Sequence, residues 1–258
     1  MLGGYIVAVC EHGIVYAFKS LLKGESVRDT MDILLSLSHA PTVVINDLPG
    51  MTARHGNRRV PGFFQPHAGA PTEPTAEKIA LAEEGTLCVS IPELANINLS
   101  KDDNFAPTSS IENDHGYSTQ PHPVTQTTNH YSLADEFHKR NVKSKKDKIR
   151  YVSCVQELRG KLNTQRHEQL FRTMVKHDYY LNSMTPGNYM FTLRLLLSMR
   201  NSVLEQDQLG KLKASSRTVP CKAHLPTSSI GRISVQEDLP GTTYFFLSIY
   251  PKCCRSVS

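Results

Sequence analysis

A chain of 258 residues, 39% hydrophobic and with a mean hydropathy of −0.33, has material for one large domain or two small ones and for a core of moderate size. Its net charge of +5 and pI near 8.8 permit a nucleic-acid partner without demanding one, and the apolar run from Phe191 to Met199 is broken by Arg194 and too short to span a bilayer. The six cysteines make no Cys-x-x-Cys pair and no zinc-type Cys/His spacing, which excludes a zinc finger and fits a reducing, intracellular compartment.

The N-terminus is apolar but lacks a basic flank and a small-residue cleavage site, so it does not read as a signal peptide. Residues Gly4 to Cys10 and Ile14 to Phe18 read as two strands joined by a tight Glu11-His12-Gly13 turn. Ser26-Val-Arg-Asp29 resembles a capping box, and Met31, Leu34, Leu35 and Ser38 share one helical face, so a helix follows and ends before Pro41. Thr42-Val-Val-Ile-Asn-Asp47 is apolar and β-branched between breakers, the signature of a strand buried on both faces. Met51 to Arg59 is short and basic, and four prolines between 61 and 75 predict a loop. Thr75 to Glu84 reads as a capped helix and Thr86 to Ile91 as a short strand.

Residues 96 to 130 are rich in Asn, Thr, Ser, Pro and His and read as a disordered polar insert. Amphipathic character returns at His130 to His138, followed by the basic block Lys139, Arg140, Lys143, Lys145, Lys146, Lys148 and Arg150, relieved only by Asp147. Asn163 caps a helix to about Lys176, and Thr185-Pro186 starts another that is apolar through Leu193, Leu195, Leu196, Leu197 and Met199 and is expected to pack deep in the fold. Beyond about 206 the pattern dissolves, with Tyr244 to Tyr250 as an isolated strand candidate. The expected organisation is one core built from 1–95 and 131–205, an insert at 96–130 and an irregular tail at 206–258.

Asp47 reads either as a metal-binding carboxylate at a strand end or as a turn residue ahead of Pro49-Gly50. Asp135 and His138, one helical turn apart, read as a shared site or as a surface acid with local partners. Glu168 lies three and seven residues before Phe171 and Val175, in line with an apolar stripe. Such a carboxylate is paired, protonated or metal-bound, or it sits at the stripe's edge beside Arg172. The basic block reads as a phosphate-backbone contact, a nuclear-import signal or a solvated loop.

Taken in order, Cys10-Glu-His-Gly-Ile-Val-Tyr16, Glu25-Ser-Val-Arg-Asp29, Val43-Val-Ile-Asn-Asp47, Glu73-Pro-Thr75, Leu133-Ala-Asp-Glu-Phe-His138 and Asn163-Thr-Gln-Arg-His-Glu-Gln169 resemble the transposase-derived region of the vertebrate HMG domain-containing protein 3 family. That region is similar to the Kyakuja–Dileera–Zisupton transposases, and the resemblance covers roughly residues 5 to 205. It implies an α/β, RNase H-like mixed sheet with flanking helices. It also implies catalytic positions at Asp47, Asp135, His138 and Glu168, with Asp47 and Glu168 as Mg²⁺ ligands for phosphoryl transfer on DNA and His138 orienting a neighbour or the substrate. The first acid belongs on a strand ahead of the Tyr5 hairpin, and residues 1 to 10 contain no Asp. The expectation is therefore a nuclear, domesticated domain, a possible fragment, that lacks its first strand and its catalysis. It contacts DNA through Lys139 to Arg150 and Arg54 to Arg59 and leaves a raw sheet edge open to self-association. The alternatives are an active Mg²⁺-dependent nuclease or strand-transferase, and a protein-interaction remnant using that edge and the helix near Leu195.

Overall fold

The computed structural model describes residues 4–21, 24, 26–95, 121–122, 125–135, 144–163, 165–215 and 244–251, with the backbone alone at 212–215 and 244–251. Strands β1 (Gly4–Cys10) and β2 (Val15–Leu21) form the expected antiparallel hairpin. Gly13 closes its turn at a φ of +84°, a backbone state open to glycine at little cost, and donates to the Cys10 carbonyl at 2.9 Å. All seven residues of β1 are buried, as befits an interior strand covered on both faces.

Helix α1 (Val27–Ser36) buries Thr30, Met31, Ile33 and Leu34. Its Ser26 hydroxyl donates to the Asp29 carboxylate at 2.7 Å rather than accepting from the backbone. Strand β3 (Val43–Ile45) is wholly buried, as its composition predicts. Helix α2 (Pro49–Arg59) follows, with Pro49 in its first turn, where the missing N–H costs nothing. Helix α3 (Ala76–Glu84) is capped by Thr75, whose side chain accepts from the Lys78 amide at 3.4 Å, and it ends on Gly85. Then come the single turn α4 (Pro92–Ala95), strand β4 (Tyr131–Leu133) and two 3-10 turns, Lys145–Arg150 and Val152–Cys154. Helices α5 (Arg166–Met174), α6 (Asp178–Ser183) and α7 (Pro186–Ser215) lead to strand β5 (Tyr244–Pro251).

The five strands form one mixed sheet in the order β2-β1-β5-β3-β4. β5 runs antiparallel to β1 and parallel to β3, and β3 runs parallel to β4. Alternation along β1 divides the core: Ile6 and Ala8 meet α1, α2 and the loop after α2 through Met31, Leu34, Ala53 and Phe64. Tyr5, Val7 and Val9 meet α5, α6 and α7 through Leu170, Phe171, Leu181, Leu193 and Leu197. Under β3 and β4, Ile45 and Leu133 pack on Ile91, Val152, Val155 and Leu158. Among the described residues no helix is long and apolar enough to cross a membrane.

Several expectations change. The edge left by a missing first strand is not raw: β5, from the supposed irregular tail, fills the middle of the sheet. A strand whose place is set by non-local pairing carries no local signal of that place. Residues past 206 continue α7 to Ser215. Residues 86–91 make only an isolated bridge, Val89 to Val155, because their partner turns back into a 3-10 helix. Tyr131 to Leu133 is strand, so Asp135 stands beyond a strand end rather than on a helical turn. Part of the expected insert is packed: His122 and His130 are buried, and Thr125 meets Thr42 at 2.7 Å. Residues 96–120 lie outside the described residues.

Candidate nucleic-acid interface

β3 and β4 are parallel neighbours, with Ile45 level with Leu133. Asp47 and Asp135 each lie two residues past those positions, so the fold brings both acids to the same end of the sheet. Asp135 is buried, 1% exposed, and Asp47 is half-buried. Between the strands, the Asn46 side chain donates to the Ser132 hydroxyl at 3.2 Å and accepts from the Leu48 amide at 3.0 Å. Ser132 in turn donates to the Pro49 carbonyl at 3.1 Å. These bonds hold the first turn of α2 against the acid-bearing strand ends.

Glu168 lies elsewhere, in the first turn of α5, with its side chain 47% exposed and 3.5 Å from the His167 ring. The buried stripe of α5 is His167, Leu170, Phe171 and Met174, one residue out of phase with the expected one, and Val175 is exposed. His138 falls outside the described residues, as do Lys139, Arg140 and Lys143. Among the described residues no group of three or more His, Cys, Asp or Glu is placed to hold a metal ion.

The cations sort into two kinds. Arg150, 7% exposed, is structural: its guanidinium donates to Asp147 at 3.1 Å, to the Ser132 carbonyl at 3.1 Å and to the Ala68 carbonyl at 3.0 Å. Burial holds its pKa below the ordinary arginine value, Asp147 opposes that, and the like charge of Arg54 reinforces it. Lys148 pairs with Glu83 on α3 at 2.9 Å, and Arg59 pairs with Asp32 on α1. Arg54 and Arg58, one turn apart on α2, together with Lys145 and Lys146, are exposed instead.

Between α2 and the Lys145–Arg150 turn lies a cavity of about 460 Å³, lined by Gly50, Arg54, Arg58, His67, Lys146, Asp147 and Arg150 among others. Asp147 lines it against α2: a Cβ built on Gly50 would come within 2.2 Å of that carboxylate, so a larger residue there would force Asp147 to shift. Asn46, Ser132 and Asp147 were not singled out from sequence as site-shaping residues. A lone acid in a basic run was the available signal for Asp147, since it marks an internal partner for one of the cations.

The molecule is thus a mixed α/β domain with two carboxylates at one sheet end and a cationic cavity beside them. It is similar to human HMG domain-containing protein 3, 32% identical over 132 residues, which cover 48% of this chain and 9% of that protein. No family model and no solved structure matches.

Proposed function

We propose that this chain is a domesticated, transposase-derived domain with an RNase H-like core, without catalysis, that holds nucleic acid against α2 and the Lys145–Arg150 turn in the nucleus. The observation that carries the binding is the grouping of Arg54, Arg58, Lys145 and Lys146 as exposed cations on these two adjoining segments. The strand order supports the ancestry. A strand preceding the Tyr5 hairpin would pair with the free edge of β1, and β5 holds that edge, antiparallel to β1 and parallel to β3. Asp47 follows the strand after α1, as the resemblance implies for one catalytic position, and Asp135 lies at the same end of the sheet.

The lack of catalysis rests on the sequence, since residues 1 to 10 contain no Asp to serve as the first acid of the pattern. No metal step enters the proposal, and the active alternative, with Asp47 and Glu168 as Mg²⁺ ligands, is left to the test below.

The test is a DNA titration by fluorescence anisotropy between 50 and 300 mM salt, on the full chain and on a variant with Arg54, Arg58, Lys145 and Lys146 all changed to Gln. The log–log salt slope of the variant is expected to be shallower by about 3 to 4. Equal slopes would sink the proposal. Adding Mg²⁺ or Mn²⁺ tests the nuclease alternative: DNA cleavage abolished by Asp47→Ala or Glu168→Ala would replace the inactive reading.

An interaction role has its own supporting observation. Phe191, Leu195, Met199 and Val203 recur every four residues along α7 and are 69%, 47%, 59% and 65% exposed. Light scattering that shows self-association lost in Leu195→Ser would favour it.

A further inference from the structure

We propose that the cavity between α2 and the Lys145–Arg150 turn is a receptor for a phosphate monoester, the terminal phosphate of a nucleic-acid strand. This deepens the nucleic-acid reading and rests on it for the rest of the ligand. Three features lead there. The first is shape: a duplex backbone presents diesters along a convex surface, whereas a concave pocket of about 460 Å³ accepts a group that projects from a strand end. The second is charge. Four cations, Arg54, Arg58, Lys146 and Arg150, line the cavity against one carboxylate, Asp147, for a net +3 from these five groups. A monoester carries about −1.5 to −2 near neutral pH, and a backbone diester carries about one negative charge per phosphate. The third is the arrangement of the donors. Arg150 and Asp147 are committed to each other, at 3.1 Å. Arg54, Arg58 and Lys146 have no ion-pair partner among the described residues, and two of them present planar forks suited to bidentate contact with phosphate oxygens.

The ligand therefore sits outward of Asp147, with Arg54 and Arg58 on the α2 side and Lys146 on the other. Lys145 neighbours Lys146 in the chain but does not line the cavity, which supplies an internal control.

The experiment uses the full chain and labelled 12-residue single strands that differ only in a 5′-phosphate, a 3′-phosphate or free hydroxyl ends. A terminal phosphate is expected to tighten binding about ten-fold, the worth of one added charge-assisted clamp. Arg58→Gln and Lys146→Gln should each cut that preference below about two-fold, while Lys145→Gln weakens all the strands alike and leaves the ratio. Inorganic phosphate, as a competitor, should remove the preference without abolishing binding. Equal affinity for all strands, with salt-dependent binding retained, would overturn the monoester site and leave the nucleic-acid reading standing. If no strand binds, yet inorganic phosphate raises the melting temperature of the parent chain and not of Arg58→Gln, the monoester site stands and the nucleic-acid reading falls.

Discussion

His130 sits where the loop before β4 meets the segment leading into β3. Its ring stacks on Phe63, with centroids 4.6 Å apart, and Nδ1 lies 2.9 Å from the Pro41 carbonyl, to which it donates. Burial of a ring with one polar partner disfavours the charged form, and its pKa falls to about 4 although the Pro41 bond opposes the fall. The folded-state value lies below the unfolded one, near 6.5, so the folded chain binds fewer protons between the two. The neutral imidazole therefore contributes its full stability above the unfolded value, and that contribution is lost as the pH drops from there toward 4. Between pH 7.5 and pH 5 the loss is expected to be about 2 kcal/mol. Urea melts at the two pH values, on the parent chain and on His130→Gln, measure it through the difference in slope. If both chains lose stability equally on acidification, His130 is not the group that titrates.

Helix α7 depends less on its own periodicity than on how it is fastened. Asn201 is buried and closes a pair of bonds with one residue of β2, accepting from the Val15 amide at 2.9 Å and donating to the Val15 carbonyl at 2.7 Å. Arg200 adds a bond to the Gly13 carbonyl. Asn201→Ala would strand a buried N–H and a buried C=O together, at an expected cost of about 2 to 4 kcal/mol. Phe191→Ser, on the exposed side of the same helix, should change stability by no more than about 0.5 kcal/mol. Chemical denaturation of the two variants side by side checks the contrast, and near-equal losses would mean that α7 is held by its outer stripe.

The elements legible in the sequence are those whose cause is local. The β1–β2 hairpin announces itself through Gly13, α3 through its Thr75 cap and Gly85 stop, and β3 through its β-branched run. Helix α2 was not legible, because Gly50 and Gly56 lower its helix propensity and their reasons are tertiary. Gly50 makes room for Asp147, and a Cβ on Gly56 would come within 2.6 Å of the Phe64 ring. The same limit governs the candidate site. Asp47 at a strand end could be read directly. Its neighbour Asp135 was placed on a helix because three residues of strand leave too short an alternation to outvote a helical spacing. The phase of α5 slipped because His167, a polar residue, opens its buried stripe.

At the scale of the whole molecule, cohesion depends on a strand separated from α7 by 28 residues of sequence. The hairpin β2-β1 and the parallel pair β3-β4 share no ladder of their own, because β5 lies between them, pairing with seven residues of β1 and three of β3. Remove it and the inner edges of β1 and β3 face a gap between two helical layers, where an unmet backbone N–H or C=O costs roughly 1 to 3 kcal/mol. A handful of such groups exceeds the roughly 5 to 15 kcal/mol that holds a typical domain together. A chain ending at Ser215 is therefore expected to lose its cooperative thermal transition altogether. Ser248→Pro in the full chain removes one N–H from the middle strand, where proline has no place, and should lower the transition midpoint without abolishing the transition. Calorimetry of the two chains reads both effects. A chain ending at Ser215 that still melts sharply at the parent's temperature would mean that the hairpin and the parallel pair cohere through their helices alone.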